Sequence, residues 1–286
     1  MSTAPGAGDA AGAAAGARTV AVERRHPPQE DALTWEPSER RVRGAKGGTT
    51  VVDSRRPVLV WEPGQAVPLY AFPREDVRAG LLHPAADPDT GAHTGSETFY
   101  DLVLDGETVA NAAWTFPVPE LSGYISFEWF RRAGRGLDHW YEEDEEIFVH
   151  PRDPYKRVDA IASTRHVRVE IDGVLVAETR RPVLVFETRL PVRYYIPPED
   201  VRLDLFTPTD LSTGCPYKGT AEYWSLTAAG PDVPPDIAWS YPEPLPAVGS
   251  VRGLIAFYNE AVDITVDGEP QERPVTGFTA ALKQPR

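Results

Sequence analysis

One cysteine, Cys215, and one methionine in 286 residues leave little room for sulfur chemistry. A single thiol excludes an internal disulfide framework, which agrees with a reducing compartment. It equally excludes the paired Cys-x-x-Cys knuckles of a structural zinc site. The six histidines are dispersed at 26, 83, 93, 139, 150 and 166, so no bound metal is expected. Long apolar runs are missing too, and none approaches the ~18 residues of a membrane span. No basic-then-apolar leader opens the chain. The protein therefore reads as soluble and cytoplasmic, with no membrane partner. Positive charge is scarce: 29 Lys and Arg face 43 Asp and Glu, a formal net charge of −14, and only four of the cations are lysines. Such a field repels phosphate backbones, so nucleic acid is not expected as a partner, although a local basic site for a small anion stays compatible with it. With 29 prolines spread through both halves, long helices are excluded as well.

What is present is enough apolar material, 41%, for real cores. The length suits two domains of about 100 to 150 residues. Residues 1–30 form an Ala/Gly-rich tail that buries too little to offset chain entropy and is expected to be disordered. Beyond it the chain repeats itself. Arg55-Arg-Pro-Val-Leu-Val-Trp-Glu62 recurs as Arg180-Arg-Pro-Val-Leu-Val-Phe-Glu187, and Pro73-Arg-Glu-Asp-Val-Arg78 as Pro197-Pro-Glu-Asp-Val-Arg202. Ala113-Trp-Thr-Phe-Pro117 returns as Ala238-Trp-Ser-Tyr-Pro242, and Ile125-Ser-Phe127 as Ile255-Ala-Phe257. The order is kept, so these are two copies of one unit. The expected organisation is a first domain over 31–135, a strap over 136–165, a second domain over 166–272 and a C-terminal tail over 273–286.

Each copy reads as mainly β. Arg168 to Ala177 alternates polar and apolar residues around Asp172-Gly173, a strong hairpin signal. Pro182 to Phe186, Val192 to Ile196, Ala221 to Leu226, Leu254 to Tyr258 and Asp263 to Val266 are short runs of strand length. Glu199 to Leu205 is the best candidate for a short helical turn. The strap holds five consecutive acids, Glu142 to Glu146, between aromatic ends; the ends are expected to dock and the acids to stay in water.

The copies differ most at Thr213-Gly-Cys-Pro-Tyr-Lys-Gly219, which His93-Thr94-Gly95 replaces in the first copy. With Tyr194-Tyr195, Glu199-Asp-Val-Arg202 and Ala238-Trp-Ser-Tyr-Pro-Glu-Pro244, this motif resembles the bacterial family known as domain of unknown function 427, also labelled nucleotidyltransferase-like. The resemblance is close over the second copy and loose over the first. It implies two compact domains similar to the β-tent folds that include methionine sulfoxide reductase B. It implies no established activity.

Read for chemistry, Cys215 beside Lys218 has two open uses. A nearby cation favours the thiolate, so Cys215 is the candidate catalytic nucleophile or redox thiol; equally, it is a small packing residue. Lys218, between Gly214 and Gly219, suits an anion cradle, or pairs with a local acid such as Glu199 or Asp200. No phosphate-loop order is present and no cofactor is expected. Tyr195, Tyr217, Trp239 and Tyr241 are candidate cavity walls, with alternation placing one ring of each adjacent pair inward and the other outward. Glu199-Asp200 and Glu75-Asp76 occur in both copies and read as caps of helical turns. Glu62 and Glu187 read as partners of nearby arginines. The favoured function is binding of a small anionic metabolite by Lys218, Tyr217, Gly219, Tyr195, Trp239 and Tyr241, with the two domains packed on each other. A Cys215-dependent enzyme and a structural or assembly module are the alternatives.

Overall fold

The computed structural model describes residues 32–282 apart from 64, 66, 90–97 and 130–135. The expected N-terminal tail and the first copy's His93-Thr94-Gly95 lie outside the described residues. The architecture is mainly β, with antiparallel sheets in both halves and only short helical turns between them.

In the first half a seven-stranded antiparallel sheet runs in the order Thr34–Pro37, Val58–Trp61, Leu69–Pro73, Tyr124–Phe127, Glu107–Trp114, Phe99–Leu104, Leu82–Pro84. The second half repeats that order. Val158–Ala162, Val183–Glu187 and Arg193–Tyr195 form one sheet, and Ile255–Phe257, Ala238–Ser240, Gly219–Leu226 and Phe206–Cys215 form another. Ile196 and Ile255 exchange both backbone hydrogen bonds at 2.8 Å and join the two. Register is kept as well as order. Phe99 pairs with Trp114 as Tyr223 pairs with Trp239, and Leu82 with Leu102 as Phe206 with Leu226. Two independent stretches reach one register because their inward residues are the same kind at the same spacing.

A four-stranded sheet packs against each of these. In the second half it is Val174–Thr179, Val167–Ile171, Asp263–Val266 and Glu269–Pro270. Its first hairpin turns at Asp172 (φ 49°) and Gly173 (φ 74°), the pair of positive φ angles that a two-residue turn of this kind requires. In the first half the equivalent sheet is Glu145–Ile147, His139–Glu142, Val42–Lys46 and Thr49–Ser54. Two of its strands therefore come from the segment expected as a strap. Trp140 is fully buried and stacks on Trp129 with centroids 4.3 Å apart. One of the five acids also departs from the expectation that all stay in water. Glu142 is buried and accepts a 2.9 Å hydrogen bond from Tyr70 Oη, with Arg40 at 3.1 Å supplying the countercharge.

The helical turns at Arg74–Asp76 and Pro198–Asp200 form where acidic pairs were read as caps, but neither has a side-chain cap. Asp200 instead accepts from Thr179 Oγ1 at 2.7 Å and Glu199 from Arg181 at 2.7 Å; Asp76 and Ser54 repeat the first of these contacts. The acids tie the turn to a strand end rather than cap it. Among the described residues no helix is long and apolar enough to cross a membrane.

Candidate functional site

Strand alternation gathers the site on one face of the second half's larger sheet. Val183 and Val185 are followed on that face by Glu187; Arg193 and Tyr195 lie on the neighbouring strand, and Thr213, Cys215, Tyr223, Trp239 and Tyr241 face the same way. The opposite face carries Leu184, Tyr194 and Ala238 into the core against the four-stranded sheet. Each Tyr or Trp pair is split between faces as expected, but both faces are covered, so Tyr194 and Tyr195 are both buried. Their common environment is a cavity of about 240 Å³ lined by Tyr195, Cys215, Lys218, Tyr223, Trp239 and Tyr241, and also by Arg193, Glu187, Lys156 and His150.

The motif itself is a strand end and a turn. Cys215 closes the strand Phe206–Cys215, pairs with Gly219 across the turn, and is partly exposed. Gly219 has φ 104°, and a Cβ there would meet the carbonyl oxygen of Glu243 at 2.9 Å, so only glycine fits both demands. Gly219 and Cys215 both line a second cleft of about 410 Å³. Tyr217 is not a wall of the first cavity but lines a neighbouring cleft with Lys156 and Arg152. Its hydroxyl accepts from the backbone N–H of Asp153 at 2.7 Å, and its ring packs on His150 at 5.8 Å.

Lys218 does not pair with Glu199 or Asp200. It donates to Glu187 Oε2, while Lys156 sits 3.2 Å from Glu187 Oε1. Nor does Glu187 pair with the arginines suggested by sequence; its two oxygens hold one lysine each, and its side chain is only 6% exposed. Burial opposes ionisation of Glu187, but the two lysine charges outweigh it and hold the carboxyl below its ordinary value. Arg193, also buried, makes a bidentate pair with Glu260 at 2.6 and 2.7 Å and lies 5.7 Å from the Trp239 ring. Burial pushes the hydroxyls of Tyr195 and Tyr241 well above the ordinary tyrosine range, so they enter the cavity as neutral hydrogen-bonding groups. Trp239 Nε1 donates to Tyr195 Oη at 3.0 Å.

The first copy shows how the same frame looks without these groups. Its register sets Leu69 where the second has Arg193, and Ala71 where it has Tyr195. With no tyrosine oxygen to receive it, the indole of Trp114 donates to Glu62 at 3.1 Å. Sequence reading missed Lys156, His150 and Arg193. Arg193 was visible as a cation inside an apolar run, a pattern that marks a paired buried charge. Lys156 and His150 lie outside the repeat and carried no signal of their own.

The sequence pattern of the family described as Domain of unknown function (DUF427) matches the chain twice, over residues 34–142 and 159–268. Both copies fall within it, and the chain belongs to this family. No curated protein sequence matches the chain.

Proposed function

We propose that this tandem DUF427 chain binds a small anionic metabolite in the 240 Å³ cavity of its second copy. The observation that carries the reading is the convergence of Lys218 and Lys156 on one buried carboxylate inside an aromatic-walled cavity. Two lysines against one glutamate leave local positive charge in a protein of net charge −14. The rings of Tyr195, Tyr223 and Trp239 give the ligand body apolar area, and the tyrosine hydroxyls fix its orientation. The volume suits a metabolite smaller than a nucleotide. A thermal-shift series with small carboxylates, phosphorylated metabolites and nucleotides tests this. A ligand at 100 times its Kd stabilises by about 2.7 kcal/mol, which is a readable shift. Stabilisation by the small anions that disappears in Lys218→Ala supports the site; stabilisation left unchanged in that variant removes it.

A second reading follows from one further fact: Cys215 is partly exposed and lines the same cavity. In that reading Cys215 is a nucleophile toward the bound anion or a redox thiol resolved by an external thiol. The pH dependence of Cys215 alkylation decides. A midpoint at or above ~8.5 is that of an ordinary thiol and ends the enzymatic reading.

A further inference from the structure

We infer that the anion seat of the second copy is a joint construction, in which Lys156, delivered from outside that copy, is the second cation and the first copy holds it in place. This deepens the anion-binding reading above and rests on it. Lys156 lies between the two family-matched stretches, 34–142 and 159–268. It reaches Glu187 Oε1 at 3.2 Å, opposite the oxygen taken by Lys218. Two ammonium groups this close repel one another, and the shared carboxylate holds them together. Each ammonium has three N–H donors, so the bond each gives Glu187 leaves donors for a second anion between them. A planar or tetrahedral oxyanion of one charge fits such a seat and balances it.

The segment carrying Lys156 is tied down on both sides. Toward the first copy, Trp61 Nε1 donates to Asp153 Oδ2 at 3.2 Å and Tyr155 Oη donates to Glu36 Oε2 at 2.6 Å. Toward the second, Asp153 N donates to Tyr217 Oη at 2.7 Å and Arg152 Nε to the carbonyl of Pro216 at 3.3 Å. The residues bonded are the two between Cys215 and Lys218. The first copy thus sets the position of both the second lysine and the motif turn. That gives the copy without the motif a role in the site.

The only cysteine is a built-in reporter of this charge. In alkylation by iodoacetate and by iodoacetamide the same Cys215 thiolate attacks the reagent and displaces iodide, so the ratio of the two rates cancels the thiol's own ionisation and exposure. What remains is the local attraction for an anion. A seat with two lysines gives a ratio above that of a free cysteine peptide. Lys156→Gln is expected to lower the ratio roughly three- to tenfold, as Lys218→Gln does, and Lys156→Arg to preserve it. Trp61→Phe, which removes the donor to Asp153 and touches no part of the cavity, is expected to lower it in the same direction. A drop in Lys218→Gln with none in Lys156→Gln overturns the joint seat and leaves the anion-binding reading standing. No drop in either lysine variant overturns both. A Trp61→Phe ratio equal to that of the unaltered protein removes the first copy from the seat.

Discussion

Replacing Arg193 by leucine, the residue at the matching place in the first copy, should separate what the site requires from what the fold requires. Arg193 and Glu260 are both buried, with side-chain exposures of 9% and 0%, and are joined by two bonds of 2.6 and 2.7 Å. Removing one member of such a pair strands the other, at a cost of about 3–5 kcal/mol. At a urea slope of about 2 kcal/mol per molar, the unfolding midpoint falls by about 2 M. The loss has a pH signature. In the unaltered protein burial pushes the Glu260 carboxyl up, but the hydrogen bonds from Arg193 and Thr276 outweigh it and hold it below its ordinary value. Its contribution is therefore complete above the unfolded carboxylate range and is lost as pH falls through the folded value. In Arg193→Leu the guanidinium bonds are gone and only the Thr276 bond opposes burial, so the carboxyl rises, and acid protonates Glu260 and relieves the variant. The gap between the two proteins should be widest at pH 7 and narrow toward pH 4. Adding Glu260→Gln to Arg193→Leu should recover much of the loss at pH 7. A deficit under about 1 kcal/mol, or one constant from pH 7 to pH 4, refutes the buried-pair reasoning.

Three other outcomes follow from the same geometry. Trp140→Ala removes a fully buried ring stacked on Trp129 and should cost about 3–5 kcal/mol in urea unfolding, whereas a ring on a detached linker would cost almost nothing. Gly219→Ala forces a side chain into a φ of 104° and against the Glu243 carbonyl; about 1–3 kcal/mol of strain is expected, with an altered Cys215 alkylation rate as the local sign. Glu187, held below its ordinary value of 4.5, contributes stability at neutral pH that is lost as pH falls through its folded value, so Glu187→Gln should flatten the acid limb of the stability profile.

The repeat made most of the fold legible. Copies of Val-Leu-Val-Trp/Phe-Glu and Ala-Trp-Thr/Ser-Phe/Tyr-Pro are strands whose alternation survives duplication, and the structure pairs them in one register in both halves. The strand over Phe206–Cys215 was not legible, because a proline, three threonines and an aspartate interrupt its apolar pattern and its exposed edge places few demands on the side chains. His139–Glu142 hid behind its acids. A charge run suggests solvent, and only the burial of Trp140 and Glu142, which share one face of the strand, shows that it completes a core.

The site was half legible for a physical reason. Chemistry carried on the repeat's own strands, such as Tyr195 and Cys215, is marked by its departure from the first copy. Chemistry brought in from the side leaves no such mark, and Lys156 is of that kind. The two glutamates that end equivalent strands make the point. Glu62 and Glu187 stand in the same repeated octapeptide, yet one receives an indole N–H and the other two ammonium groups. Ala71 offers the first indole no oxygen, so it turns to Glu62; Tyr195 receives the second indole and leaves Glu187 to the lysines. A change on the neighbouring strand thus redirects a hydrogen bond, and a glutamate that serves the core in one copy serves the cavity in the other.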